Sequence, residues 1–270
     1  MTSSLVGVWR SRNVLQYLVR RDLAVKYQQS IMGYLWSLLE PLGIGLIYYF
    51  VFVVVMERGG RGGVIPEEHY ILYLMSGIFS FMWTSGVLSE ATGALTAQKA
   101  LITTMNVPRE VFPIGRVLAR SAEFLAGIPI LAVLAAILGV DFSRWLLVLP
   151  LAILLQAVFL TGVALLLSSV NVMMQDIERF MRMIQRLVFY GCPILYPLVL
   201  VETSTLPVWV KVIYKTNPLV GILEVHHAAW FPQLFPSAGL LITCVVGCLT
   251  MLVAGWLVFR RLEPAVLKEL

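Results

Sequence analysis

The chain has 270 residues, of which 59% are hydrophobic and only 13% are charged, with a net charge of +5. This composition leaves no segment long enough for a soluble domain. The apolar residues form long continuous runs, whereas a transmembrane β-barrel would show short segments of alternating apolar and polar residues, so a β-barrel is excluded. A helical crossing of a hydrocarbon core about 30 Å thick needs roughly 20 apolar residues. We therefore predict an all-α polytopic membrane protein with six transmembrane helices, at residues 35–56, 70–89, 114–139, 145–170, 184–201 and 237–259.

The distribution of basic residues predicts the orientation in the membrane. The 20 Lys and Arg residues fall in the N-terminal segment, in alternate gaps and in the tail, with the exceptions of Arg58, Arg61, Arg144, Lys211 and Lys215. Because the side richer in Lys and Arg stays in the cytoplasm, both termini are expected there. The net charge is therefore a signal of topology, and no nucleic-acid partner is expected.

The segment before the first span is basic and mixed, without the apolar stretch of a cleavable signal peptide. Within it, Leu15, Leu18 and Val25 share one side of a helical projection, although Asp22 and Lys26 interrupt that side. We predict an N-terminal amphipathic helix at the membrane interface. The chain thus divides into a cytoplasmic interface segment, 1–34, and a transmembrane domain, 35–270.

The gap between the second and third spans is predicted to hold a short helix, followed by a turn that Pro108 and Pro113 bracket. Its apolar residues Leu101, Ile102 and Met105 require a cover. From the residues alone, we expect neighbouring parts of the chain or lipid headgroups to cover them, and a partner protein is the less favoured alternative.

Ionisable residues inside membrane spans are costly and are candidates for function. Arg120 and Glu123 stand at i and i+3 near the start of the third span, a spacing that predicts an ion pair within the helix. No series of acidic residues or histidines runs through the middle of the spans, which argues against an ion-coupled transporter.

The region after the fifth span is predicted to contain two short helices that dip into or lie on the outer leaflet. Pro193 and Pro197 interrupt the fifth span near its outer end, and Asn217-Pro218 begins the second short helix. Irregular backbone at membrane depth is tolerated only beside a cavity or under protein cover. These four residues are therefore candidates for an outer gate.

Metal and enzyme chemistry find little support in the chain. Glu224, His226 and His227 are badly spaced for a zinc site, so no metal is expected. The chain lacks a phosphate-binding Gly-x-x-x-x-Gly-Lys-Ser/Thr loop and the Gly-x-Ser-x-Gly and His-Glu-x-x-His motifs. It is not expected to be an enzyme, which leaves transport or a structural membrane role. The three cysteines are predicted to be reduced packing residues.

Several motifs carry a resemblance to a known family. The sequence resembles the ABC-2 type permeases that export bacterial surface polysaccharides, among them the O-antigen, wall teichoic acid and mycobacterial galactan exporters. The matching segments are Arg21-Asp22-Leu23-Ala24-Val25-Lys26-Tyr27, Ser30-Ile31-Met32-Gly33-Tyr34-Leu35-Trp36 to Glu40-Pro41-Leu42, Asn106-Val107-Pro108-Arg109-Glu110-Val111-Phe112-Pro113, Asn171 with Asp176-Ile177, Pro193-Ile194-Leu195-Tyr196-Pro197 and Asn217-Pro218-Leu219.

The resemblance implies a multi-pass protein of the bacterial plasma membrane that forms a homodimer around a central channel. Two copies of a separate ABC ATPase subunit would supply ATP hydrolysis with Mg, and this chain would bind no cofactor. The short helix would then be a coupling helix that contacts the ATPase, through Leu101, Ile102, Thr104, Met105 and Asn106. In that case a partner protein, and not the chain itself, would cover its apolar residues.

The resemblance also implies a cargo, a polysaccharide linked to a polyprenyl pyrophosphate. Arg20, Arg21 and Lys26 are candidates to attract its diphosphate. Aromatic rings that can stack on sugars are candidates to line the channel, at Tyr34, Trp36, Phe189, Tyr190 and Tyr196. The alternatives are an ABC-2 exporter of drugs or lipids and, outside transport, a membrane scaffold subunit.

Overall fold

The computed structural model describes residues 5–27, 32–56, 64–104, 107–174 and 176–269. These residues form α-helices joined by turns and short 3-10 segments, with no strand among them. The helices are α1 (Leu5–Arg10), α2 (Arg12–Tyr27), α3 (Trp36–Tyr49, continued by a π-helical turn over Phe50–Val55), α4 (Tyr70–Glu90), α5 (Lys99–Thr104), α6 (Val111–Ile137), α7 (Leu149–Met173), α8 (Ile177–Gly191), α9 (Leu198–Thr203), α10 (Val208–Thr216), α11 (Pro218–Trp230) and α12 (Ala238–Glu269).

Five helical segments of the described chain are long and apolar enough to cross a membrane. They are Trp36–Val55, Glu67–Glu90, Val111–Ile137, Arg144–Met173 and Ala238–Glu269. They overlap five of the six predicted spans, so the prediction of an all-α polytopic membrane protein is confirmed. The last of them extends well past the predicted end at residue 259, because α12 continues without a break through the basic tail.

The predicted span at 184–201 is wrong as a continuous helix. α8 begins earlier, at Ile177, and ends at Gly191. Pro193 and Pro197 interrupt the helix, as the sequence predicts, because proline lacks the amide hydrogen that a helix interior needs. A new short helix, α9, starts only after Pro197.

The break predicted at Pro113 is also wrong. α6 begins at Val111 and includes Pro113 in its first turn. Amide hydrogens in the first turn of a helix have no acceptor within that helix, so a proline there removes no hydrogen bond. The turn that precedes α6 is confined to residues 107–110.

The second of the two predicted outer helices lies inside the protein. In α11 every residue from Leu219 to Trp230 is buried, and the helix packs against α4, α7 and α12. Of the two predicted alternatives, this burial excludes a helix that lies on the surface of the outer leaflet, whereas a helix that dips into the membrane under protein cover stays a prediction. By contrast, α10 exposes large apolar side chains, including Trp209 and Ile213.

α4 runs through the middle of the bundle and contacts α3, α6, α7, α8 and α11. We call the two ends of the bundle the basic end and the loop end. At the basic end α2, α5, the start of α6 and the end of α12 share an apolar cluster that includes Leu18, Ile102, Phe112 and Phe259. The loop end holds the first turn of α4 and the interrupted segment 192–197.

α7 and α12 form the closest helix pair, and glycines allow it. A Cβ on Gly162 of α7 would lie 2.6 Å from the Cα of Leu252 in α12. A Cβ on Gly255 of α12 would overlap the backbone of Gly162. Small residues at these two positions let the two backbones touch, a common way of packing helices in membranes.

Candidate functional site

Other parts of the chain cover apolar residues of α5, the predicted coupling helix. Ile102 is only 6% exposed and belongs to the apolar cluster of the basic end, and Leu101 is half-buried against the same cluster. The chain itself therefore provides the cover that the resemblance assigns to a partner protein.

The face that α5 leaves exposed is mainly polar. Thr104 is exposed, together with Lys99 and Thr103. Met105 and Asn106, the other two predicted coupling residues, lie outside the described residues. The surface that α5 can offer to a partner therefore combines one lysine and two small hydroxyl side chains with the exposed Ala100 and part of Leu101.

Ion pairs fasten the amphipathic helix α2 to α6. Asp22 accepts from Arg21 of its own helix at 2.9 Å and from Arg116 of α6 at 3.1 Å. Arg21 also donates to the Gln98 side chain, which directly precedes α5, at 3.1 Å. Asp22 interrupts the apolar side of α2 in sequence because it faces a basic residue of α6.

A second group of charges lies one turn along the same interface. Lys26 of α2 pairs with Glu123 of α6 at 2.8 Å, and Arg120 donates to Glu123 at 2.6 Å. Arg120 also pairs with Glu90 at the end of α4. The predicted pair of Arg120 and Glu123 is thus confirmed, and it is one part of a network across three helices.

These contacts bear on the three residues predicted to attract a diphosphate. The side chains of Arg21 and Lys26 each meet a carboxylate, so much of their charge is neutralised within the chain. Arg20 points away from this network and lines an apolar groove with Trp9 and Leu118. A role for these residues toward phosphate stays a prediction.

An aromatic cluster lies between α3, α4 and α8. Phe189 of α8 is buried between Tyr48 and Phe81, with ring centroids 5.3 and 4.9 Å apart. The neighbouring Tyr190 is 61% exposed, and its hydroxyl lies 3.2 Å from that of Tyr48. Trp36, at the start of α3, is 52% exposed. Of these predicted channel-lining residues, Tyr190 and Trp36 present their rings at the surface of the subunit.

The other two predicted channel-lining residues are placed differently. Tyr196 is half-buried, and its hydroxyl donates to the Tyr190 carbonyl at 2.9 Å. The side chain of Tyr34 lies outside the part that the structure describes.

Hydroxyl groups of α4 hold the interrupted segment 192–197. The Tyr70 hydroxyl donates to the Leu195 carbonyl at 2.5 Å. The Tyr73 hydroxyl lies 3.0 Å from the Pro193 carbonyl and 2.8 Å from that of Tyr196, so the two carbonyls share its proton. A segment without a helix of its own thus has its buried carbonyls satisfied by side chains, as buried backbone requires.

His227 of α11 completes this attachment. Its Nε2 lies 3.0 Å from the Pro193 carbonyl and its Nδ1 lies 2.8 Å from the Ser76 hydroxyl. A neutral ring with hydrogen on Nε2 satisfies both contacts, because Nε2 then donates and Nδ1 accepts. The ring also stacks on Tyr73 with centroids 4.0 Å apart.

The remaining outer-gate candidates lie beside the same segment. The Asn217 side chain accepts from the Leu219 amide at 3.1 Å and caps α11, with Pro218 in the first helical position. The Asn217 amide also faces the Cys192 sulfur at 3.6 Å. The structure therefore brings Pro193, Asn217 and Pro218 into one region at the loop end, and Pro197 follows as the cap of α9.

A buried amide joins α4, α7 and α11. The Gln156 Oε1 accepts from His226 at 2.7 Å and from Ser80 at 3.0 Å, and its amide nitrogen donates to Thr84 at 3.0 Å. All four residues are almost fully buried. Among the described residues no group of three His, Cys, Asp or Glu side chains is placed to hold a metal. His226 and His227 serve hydrogen bonding between helices, a role that their spacing in sequence does not reveal.

Glu110 is an unusual residue at the basic end. It is fully buried in the turn between α5 and α6, and neither carboxylate oxygen has a hydrogen-bond partner in the described structure. Burial raises the pKa of this carboxyl above its ordinary value, since the charged form loses its hydration.

Comparison with known proteins gives a family match. A family model described as ABC-2 type transporter matches residues 13–231. An O-antigen export system permease protein of Klebsiella pneumoniae is 30% identical over 212 residues, which is 78% of this chain and 77% of that protein. An O-antigen export system permease protein of Myxococcus xanthus is 26% identical, with 96% of each chain covered. A polysialic acid transport protein of Escherichia coli is 23% identical over 94% of this chain and 95% of its own.

Proposed function

The chain belongs to the ABC-2 type transporter family, and on that premise we propose that it is the permease subunit of an ATP-driven exporter of a bacterial surface polysaccharide. It is a multi-pass protein of the bacterial inner membrane. The observation that carries the proposal is the match to the Myxococcus xanthus O-antigen permease. That match covers 96% of both chains and so includes the coupling helix, the amphipathic helix and the interrupted segment.

The proposed exporter contains two copies of this chain and two copies of a separate ATPase subunit, which binds ATP and Mg. α5 and α2 would contact the ATPase at the basic end, with Lys99, Thr103 and Thr104 on the contact surface. The ion pairs between α2 and α6 support this arrangement, because they let α2, α5 and α6 move as one body when the ATPase closes.

In the proposed topology α8 also crosses the membrane, as the fifth of six crossings in chain order, and both termini lie in the cytoplasm with the basic end. The loop end then faces outward, and the segment 192–197 stands where an outer gate is needed. Its attachment to α4 supports this role, since α4 leads through residues 91–98 directly to the coupling helix.

The proposed cargo is a polysaccharide of the O-antigen type on a polyprenyl diphosphate, moved from the cytoplasm across the plasma membrane. The names of the relatives support this class, and the names of more distant relatives, which include capsule export proteins, make a capsular polysaccharide the second candidate. Exposed rings at Trp36 and Tyr190 are proposed to contact sugars, because stacking accepts many different sugars. If the cargo is instead wall teichoic acid or galactan, we propose that it crosses the membrane through the same permease.

Depletion of the chain in its host tests the function. We expect the lipid-linked polymer to accumulate inside the cells and to disappear from the surface, and an ATPase-deficient partner subunit should give the same result. Unchanged surface polymer together with increased drug sensitivity would support the drug exporter. Loss of an envelope enzyme complex without trapped polymer would support the scaffold.

A further inference from the structure

Three arginines form a row along the exposed face of α8. With about 100° of rotation per residue, Arg179, Arg182 and Arg186 fall within about 60° of one another on the helical projection. All three are exposed, whereas Met181 on the opposite side is buried and Ile184 is half-buried. α8 thus turns Met181 and Ile184 toward the bundle, and its outward surface carries the arginines next to the exposed apolar side chains of Phe180, Met183 and Leu187.

The charges of this row are not neutralised within the described chain. Arg182 and Arg186 form no ion pair and no side-chain hydrogen bond there. Arg179 meets Asp176 at 4.0 Å, with 81% and 93% of the two side chains exposed. Exposed pairs of this kind contribute little to stability. Arg21 and Lys26 of α2, and Arg116 and Arg120 of α6, by contrast face carboxylates at the same end.

The depth of the row follows from the contacts of α8 with α4. The Gln185 amide donates to the Ser85 carbonyl at 3.2 Å and to the Ser89 hydroxyl at 2.7 Å. Arg186 therefore lies level with the last two turns of α4, a helix apolar enough to cross a membrane. At 1.5 Å per residue the row extends about 10 Å from there toward the basic end.

Arg186 lies at the basic-end boundary of a span, and an arginine there without a carboxylate partner among the described residues indicates a polar environment, because charged side chains avoid lipid. The lower end of the row opens into a cleft of about 450 Å³ lined by Thr96, Asn171, Asp176, Glu178, Arg179 and Arg182. The upper end leads to the exposed ring of Tyr190. A ligand that enters at the basic end thus meets guanidinium groups together with the carboxylates of Asp176 and Glu178, and an aromatic surface next.

We propose that Arg179, Arg182 and Arg186 bind the phosphate groups of the lipid-linked cargo as it enters the exporter. The inference rests on the proposed function and names the part of the cargo that the row recognises. A guanidinium group presents two parallel donors that match phosphate oxygens, and it keeps its charge at depth. Three such groups in line let a diphosphate pass from one arginine to the next without leaving a basic surface.

Binding of a polyprenyl diphosphate without glycan tests the inference. The complex of this chain with its ATPase subunit is placed in phosphatidylcholine nanodiscs, and retention of the radiolabelled lipid is measured by scintillation proximity. We expect Arg182→Gln with Arg186→Gln to weaken binding at least 10-fold. The control, Arg261→Gln with Lys268→Gln, removes two exposed charges of α12 at the same end and should change binding less than 2-fold. Arg182→Lys with Arg186→Lys should give an intermediate loss, because charge remains without the paired donors.

Binding by the double Gln variant equal to that of the wild type would overturn the inference and leave the exporter standing. Equal competition by phosphatidylglycerol would also overturn it, since the row would then hold bilayer headgroups. If wild-type complex binds no polyprenyl diphosphate at all, the proposed function fails and the inference with it. Size-exclusion profiles confirm that each variant is folded, and the single variant Arg186→Gln replaces the double one if the latter does not assemble.

Discussion

Replacement of Tyr73 by Phe isolates the attachment of the segment 192–197 to α4. The change removes one hydroxyl and leaves the ring that stacks on His227. The Pro193 carbonyl keeps its contact with His227 at 3.0 Å, whereas the Tyr196 carbonyl loses the hydroxyl at 2.8 Å. The variant therefore leaves the partly buried carbonyl of Tyr196 without this hydrogen bond.

The size of the effect follows from that single loss. A buried polar group left without its partner costs about 1–3 kcal/mol. Since 1.4 kcal/mol corresponds to a factor of ten, the segment should open about 5- to 140-fold more often. The rest of the fold keeps its contacts, so the thermal midpoint should fall by only a few degrees.

Cys192 provides a native reporter of this opening. It is a free thiol, 1% exposed, within the segment itself. In a background with Cys244→Ala and Cys248→Ala, the rate of maleimide labelling of the purified complex reports how often the thiol becomes accessible. Tyr73→Phe should accelerate labelling by the factor given above.

The matched control is Tyr17→Phe, which removes an exposed hydroxyl of α2 at the other end of the bundle. It should leave the labelling rate unchanged. An unchanged rate in Tyr73→Phe would refute the idea that this hydroxyl holds the segment. Equal acceleration in both variants would point to a general loosening of the protein.

Three further changes probe the packing and the charges. Gly255→Ala should lower the free energy of unfolding by about 1–3 kcal/mol, because its Cβ overlaps the backbone of α7. The control Gly239→Ala lies on the same helix, has open space around its Cβ and should be neutral. Thermal midpoints of the two variants in detergent test this difference. Burial raises the pKa of Glu110, so the native state binds this proton more tightly than the unfolded state, and stability falls as the pH rises above the ordinary carboxyl pKa. Glu110→Gln should therefore raise the thermal midpoint relative to the wild type at about pH 8 and leave it unchanged at about pH 4. A variant with the wild-type midpoint at both pH values would contradict this. Glu123→Gln removes the carboxylate that Lys26 of α2 and Arg120 of α6 share, and it should speed amide hydrogen exchange in α2 about 10-fold. The control Asp176→Asn changes an exposed ion pair and should have no effect. Equal exchange rates in the two variants would show that the ion pairs do not hold α2.

Elements with one strong local signal could be predicted from the sequence. The five long apolar segments appear as spans because burial in lipid requires continuous apolar residues. The interruption at Pro193 and Pro197 and the start of α11 at Asn217-Pro218 follow from proline geometry and helix capping, which are local as well. The pair of Arg120 and Glu123 follows from spacing on one helix.

Features that depend on distant residues could not be predicted. Asp22 and Lys26 interrupt the apolar side of α2, and only the position of α6 explains them. Val25, counted on the apolar side in sequence, is 62% exposed. His226 and His227 make α11 look like a surface helix, yet both are buried because Gln156 and a backbone carbonyl of the interrupted segment satisfy them.

The row of arginines on α8 shows how a signal can be present and still be misread. The predicted fifth span begins at residue 184, so it leaves Arg179 and Arg182 in the preceding gap and places Arg186 alone in the helix. The helix in fact begins at Ile177, and only then do Arg179, Arg182 and Arg186 share one face. The opposite face indicates the earlier start of the helix, because Met181 and Ile184 continue the apolar pattern of α8 toward Ile177.

The most direct test of the exporter is ATP turnover by the assembled complex. This chain is co-expressed with the ATPase subunit encoded nearest to it, purified in detergent, and assayed with and without polyprenyl-linked glycan. The account predicts a stable complex of two copies of each subunit whose ATP turnover changes when the lipid-linked glycan is added. Failure of this chain to bind any ATPase subunit would contradict it.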